Sequence, residues 1–187
     1  MGKKYELTDE TKEYEGHVLH RIRKVDSGNL GGWIEKEENL SQDNECWVDE
    51  EAMVFGNAKV SDWAIVRQYA IVFGDASVYG HAIVRGNALV YGVAEISGYA
   101  RVYGTAVISG HASVYGNAQI YGRAYVFGLA EVYENAQVHE DAMIFDDAKV
   151  SGKANVLGNS RVFYTSHIKR KKEYKDKIIA KKPPKNA

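Results

Sequence analysis

At 187 residues the chain is expected to form one domain with short attachments. Its single cysteine, Cys46, excludes an intrachain disulfide framework, and no apolar run approaches the length needed to span a membrane. The net charge of −1 hides a division: residues 1–163 carry 15 Lys/Arg against 23 Asp/Glu, and residues 164–187 carry 9 against 2, so an acidic body ends in a basic tail.

Residues 1–31 read as an N-terminal cap. Lys4 to Leu7 has the character of a short strand, Thr8 to Thr11 of a polar turn, and His17 to Val25 of a return strand, which together predict a β-hairpin. The beginning is charged and lacks the apolar core of a secretory leader, and Glu6 stands where a myristoylation signal wants Ser or Thr; cytoplasmic residence is the expectation. Asp26 to Gly32 is rich in turn residues. An imperfect first coil begins at Trp33 and carries Glu35, Glu37, Glu38 and Asp43. An open sheet end exposes unpaired backbone groups, so the hairpin and this charged coil are expected to close it.

From Asn44 to Phe163 one six-residue phrase, Gly-x-Ala-x-Val-x, runs without insertion. The third position is Ala in every unit from Ala52 to Ala154, and the fifth is Val or Ile from Val48 to Ile168. Positions three and five share parity, so on a strand both point to the same side. A β-branched residue suits the pleated surface, and only a small one fits inside a tight corner. Gly or Asn near the first two positions supplies the left-handed backbone that a corner requires. Such a period marks a stacked parallel β-helix.

Three units make a coil of 18 residues, and the outward sixth position supports that number. Reading every eighteenth residue gathers all five Phe residues into one column: Phe55, Phe73, Phe127, Phe145 and Phe163, with Tyr91 and Ser109 between. A two-unit coil would scatter them. On the same face the fourth positions are Met53, Ile71, Leu89, Val107, Tyr125 and Met143. The second face is polar, and the third is mixed, with Arg67, Arg85, Arg101, Tyr103 and Tyr121. About seven coils at about 4.8 Å spacing predict a rod on the order of 35 Å long, spanning residues 32–163.

Beyond Phe163 the pattern fades, with Ser160 and Ser166 in place of Ala. Residues 164–187 hold the basic run Lys169, Arg170, Lys171 and Lys172. Tyr174 with Ile178, and Glu173 with Lys177, have helical spacing, and Pro183-Pro184 would stop a helix. A short C-terminal helix acting as a lid is expected.

The repeat resembles the hexapeptide-repeat superfamily, over about two-thirds of the chain. The resemblance implies an all-β fold, a left-handed parallel β-helix with three hexapeptides per coil. The stretch from Leu19 to Gln42, with Gly28-Asn29-Leu30-Gly31-Gly32-Trp33-Ile34 at its centre, resembles the N-terminal module of uncharacterised bacterial and prophage hexapeptide proteins, some labelled putative transferases. Many members of the superfamily are trimeric acyltransferases that bind acyl-CoA between subunits and use a His base. Here Gly lies one place later relative to Val, no loop interrupts the coils, and no His is singled out among His81, His111 and His139.

The expectation is therefore a non-catalytic binding protein without cofactor or metal. Its outward row from Met53 and Phe55 to Phe163 would join subunits into a dimer or trimer, because so large an apolar patch is rare on monomers. The chain's own hairpin or tail, or a different protein, are the other candidates to cover it. A protein partner, in a prophage setting a host defence component, would meet the remaining faces. Two alternatives are an acyltransferase using acyl-CoA, and a nucleic-acid or nucleotide binder working through the Arg/Tyr face and the basic tail. Cys46 at a third position is expected to be a buried small hydrophobe.

Overall fold

The structure, a computed structural model, describes residues 2–182. Fourth and fifth positions form two-residue strands, such as Leu89–Val90, each paired in parallel with the strands 18 residues before and after it. Three sheets result, of 11, 8 and 7 strands, one for each side of a triangular solenoid. Each unit donates upward at three points. The amide of Leu89 reaches the Ala106 carbonyl (2.9 Å), Tyr91 reaches Ile108 (3.0 Å), and Asn87 reaches Gly104 (2.7 Å). The fold is a parallel β-helix whose backbone polar groups are consumed by the neighbouring coil, which is why strands this short persist.

Third and fifth positions fill the interior: Ala and Val or Ile from Val48 to Val156 are buried throughout. First positions turn the corners in the left-handed region. At Gly104 (φ 74°) an added Cβ would lie 2.9 Å from the Gly122 backbone. Yet Gln68, Glu134, Glu140 and Asp146 occupy the same position, with φ from 56° to 65°. Each places a side-chain oxygen on the amide one coil further on: Gln68 on Gly86 (2.9 Å), Glu134 on Gly152 (2.6 Å), Glu140 on Gly158 (2.9 Å), Asp146 on Tyr164 (3.1 Å). The bond offsets the strain that a side chain brings to this backbone.

The predicted hairpin is present as β1 (Tyr5–Tyr14) and β2 (His17–Lys24), but its turn is Glu15-Gly16. Thr8 to Thr11, expected as the turn, lies inside β1 at a shift in the pairing register, because the strand runs on to pair Tyr14 with His17. β2 pairs antiparallel with β3 (Leu30–Ile34), which pairs in parallel with Met53–Val54, so the hairpin extends the Phe-face sheet past its first coil. Leu19 and Ile22, three apart, point to opposite sides: Ile22 joins the interior with Tyr5, and Leu19 lies over the outward face. The Tyr5 hydroxyl donates to the Leu40 carbonyl at 2.6 Å, and the Gln42 side chain pairs with the Tyr5 backbone in both directions. Where the first coil lacks a polar-face strand, a 3₁₀ turn, Glu37–Asn39, replaces it. Buried Asn39 ties the turn down by donating to Gly56 (3.1 Å) and Ala58 (2.9 Å).

The C-terminal helix is not formed. Glu173–Lys175 and Ile178–Lys181 are strands that continue two of the sheets; Pro183 and Pro184 lie outside the described residues. A helix of a dozen residues is marginal alone, whereas the last full coil offers unpaired ladder groups. Tyr174 takes the place below Val156, and Ile179 the place below Val162. This coil is one residue short, since Arg161 pairs with Ile178. The two serines that interrupt the Ala column repair the mismatch. Ser160 Oγ donates to the Tyr174 carbonyl (2.7 Å) and accepts from the Lys177 amide (3.0 Å). Ser166 Oγ accepts from the Lys181 amide (2.8 Å). Ser160→Ala is expected to cost about 1–3 kcal/mol, confined to this coil. Hydrogen exchange would show the Lys177 amide losing protection while amides near Ala106 keep theirs; unchanged exchange at Lys177 would refute the role.

Candidate interaction faces

The Phe column is continuous in direction but not in access. Ring pairs Phe55–Phe73, Phe73–Tyr91, Phe127–Phe145 and Phe145–Phe163 stack with centroids 5.2, 5.0, 5.1 and 4.8 Å apart and planes within 12°. The gap falls at Ser109. The hairpin covers the first coils: Leu19, Trp33, Met53 and Phe55 form a second buried cluster, with Tyr14, Ile71 and Phe73 packed against it. Met53 and Phe55, expected at a subunit interface, are 8% and 2% exposed and already spent inside the chain. Ile71 and Phe73 are half-covered by the same contact. What the hairpin leaves uncovered runs from Leu89 and Tyr91 through Val107, Tyr125, Phe127, Met143 and Phe145 to Phe163; Tyr125 is exposed, the others are half-buried in their own column, and the exposed Arg161 follows Met143 on the last rung. Two corner residues widen it, Val93 (43% exposed) and Leu129 (56%), each two places after a ring of the column. The periodic listing that finds the Phe residues also finds these, at second positions.

The hairpin is held there by charge. Glu51 accepts from Arg21 (2.8 Å), from the Trp33 indole (3.1 Å) and from Lys12 (3.3 Å); chiefly through Arg21, its carboxyl is held below the usual range. Glu35 is likewise lowered, first by its bond from His17 (2.9 Å) and also by the Gly56 amide. The hairpin thus clasps one side of the rod as well as closing its end.

On the mixed face, Arg85 lies 4.8 Å over Tyr103, Tyr103 stacks on Tyr121 (4.9 Å), and Tyr121 stacks on His139 (4.5 Å). Burial raises the Tyr121 phenol above its ordinary value. These rings cover one another's faces and offer edges and hydroxyls outward. Arg67 and Arg101 are exposed. A corner column at second positions adds Trp63, His81 and Tyr99, stacked 5.1 and 4.8 Å apart, with Trp63 47% and Tyr99 61% exposed.

The polar face holds a network instead. Glu131 accepts from Lys149 (2.6 Å) and Tyr115 (3.0 Å). Lys149 lowers the Glu131 pKa, and burial with that carboxylate pushes Tyr115 up to about 12. Its neighbour His167 meets Ser151 (3.2 Å) and Tyr133 (3.3 Å). Of the three other repeat histidines, His81 is sandwiched between rings, His139 bonds Asn155 (2.8 Å), and His111 is an exposed corner residue. A surface groove of about 460 Å³ between Lys36, Glu38, Asn57, Lys59 and Asp75 holds no histidine. Among the described residues no group of three His, Cys, Asp or Glu is placed to hold a metal ion, and no helix is long and apolar enough to cross a membrane.

Cys46 is buried, and burial pushes its thiol up even with the Lys4 ammonium 3.3 Å from the sulfur. In the tail, Lys169, Arg170, Lys171 and Lys172 are all exposed around the last coil, and Lys172 lies 5.7 Å from the Tyr174 ring. No protein-family model and no curated protein matches the chain.

Proposed function

We propose that this chain is a non-catalytic, self-associating scaffold of the hexapeptide-repeat type, with the left-handed coil of that superfamily, working in the cytoplasm. The observation that carries the reading is the partly exposed, mainly apolar strip from Leu89 to Phe163, broken at Ser109, bordered by Arg161 and aligned with the part the hairpin already covers. The chain itself supplies the first occupant of this face, in Leu19 and Tyr14, and a second copy is the occupant for the rest. Five rungs at about 4.8 Å give a strip about 24 Å long, and six residues per side give a width of about 20 Å. That is roughly 500 Å² in plan, so two copies would bury about 1,000 Å² together, the lower end for a specific interface. Burial of Phe and Tyr edges supplies the drive, and the straight, flat column makes the patch self-complementary. A self-paired rod leaves its other faces for a different protein. The resemblance of the N-terminal module supports a prophage setting and a host defence protein as that partner.

Light scattering across a gel-filtration peak tests the reading. The intact chain should run at two or three times its 20.8 kDa. The double variant Phe127→Asp, Phe145→Asp should run at 20.8 kDa with its circular dichroism unchanged. A native chain already at the monomer mass would defeat the proposal.

A further inference from the structure

The mixed face changes character along its length: where the far half carries glutamine, tyrosine and histidine, the half nearer the hairpin carries isoleucine and arginine. Its fourth positions carry Ile65 and Ile83, paired in register one rung apart. Its sixth positions carry Arg67 and Arg85, also one rung apart. Within a strand, fourth and sixth positions stand about 7 Å apart on the same side, so two isoleucines and two arginines make a square. The Trp63, His81 and Tyr99 column forms a ridge along one border.

Charge separates this square from its surroundings. The body of the chain is acidic, yet Asp49 is the single acid among the outward positions of this face between Trp47 and Leu157. Among the described residues, Arg67, Arg85 and Arg101 make no ion pair; Arg161 and Arg170 share that, whereas Arg21, Arg23 and Arg123 are paired, so what marks this face is two such arginines one rung apart beside two isoleucines. Trp, Tyr and Arg around a small aliphatic floor is the residue set that dominates protein–protein hot spots.

We infer that this half-face docks an acidic protein segment, one that presents an apolar side chain and a carboxylate on alternate residues of an extended stretch. The apolar side chain would sit on Ile65 and Ile83, and the carboxylate would take a forked pair of bonds from Arg67 or Arg85. A single-stranded nucleic acid fits less well. Base stacking needs open ring faces, and the rings of this face and of its bordering column are largely stacked on one another.

The test uses the full chain and three fluorescent probes: a random glutamate–tyrosine copolymer, polyglutamate of equal charge, and a thymidine oligonucleotide. Anisotropy at moderate salt should show the copolymer binding at least tenfold more tightly than either other probe. The variant Arg67→Ala, Arg85→Ala should lose at least tenfold, with an unchanged melting temperature. Ile83→Ser should lose affinity for the copolymer and not for polyglutamate. Alanine at Lys169, Arg170, Lys171 and Lys172 should change nothing, which separates this face from the tail. Phe127→Asp, Phe145→Asp should keep copolymer binding, so the docking face and the subunit face stand or fall separately. Equal binding by native chain and arginine variant, or oligonucleotide binding as tight as the copolymer's and lost in that same variant, would overturn the inference.

Discussion

Tyr5→Ala should lower the stability of the solenoid by about 3–5 kcal/mol, the range for removing a buried large aromatic side chain. Tyr5 is wholly buried and closes the prism over Ile22, Ile34, Leu40 and Val48. Its hydroxyl also satisfies the Leu40 carbonyl. The loss should be local in origin. In a stack where each coil meets only its neighbours, removing the closure lets coils open from that end first. Hydrogen exchange should therefore report faster exchange near Val48 and Val54 and none of the same size near Val138. Tyr5→Phe isolates the hydroxyl and should cost about 1–2 kcal/mol. A Tyr5→Ala protein that melts within a degree of the parent would mean that the end is closed by something else.

Ala106→Leu should be damaging in the opposite sense. Ala106 sits in a column of alanines with no exposure, between fifth-position Val and Ile chains that are also fully buried. Coils repeat at the strand spacing, so a longer side chain cannot shift along the axis without meeting the alanine of the next rung. Three extra carbons force neighbours off their rotamers or push the corner apart, at about 1–3 kcal/mol and toward the upper end here because both neighbouring coils are strained. Thermal melts should show the drop, and Ala106→Ser, which adds one atom, should show much less. If Leu and Ser variants melt together, the interior is looser than its burial states.

The period, the three-sided coil and the inward and outward assignment of each position are legible in the sequence, because steric demands repeat identically in every coil. Ala52 and Ala154 answer the same question with the same residue. The direction of Phe55, Phe73, Phe127, Phe145 and Phe163 is legible for that reason too. Four things are not. That Phe55 is covered depends on where the hairpin folds back, and nothing in Tyr14 or Leu19 alone points to a rung 36 or more residues on. The strand character of Glu173–Lys175 is set by the open ladder it joins, and helical spacing within the segment competes with that and loses. The Trp63, His81 and Tyr99 column is visible at 18-residue spacing, but its stacking depends on the ring orientation that the corner imposes. Glu134 and Asp146 stand where glycine is the rule, and only the atoms reveal them as brackets between coils.

The identical pitch of every coil makes length a separable design variable. Deleting residues 92–109 removes one complete revolution and joins Tyr91 to Gly110, an aromatic-to-glycine junction the chain already uses at Phe73-Gly74, Tyr91-Gly92 and Phe127-Gly128. The shortened rod would bring Phe127 directly beneath Tyr91 and turn two broken ring stacks into one unbroken run. A protein built this way can be cut or extended by whole revolutions, without redesigning either end.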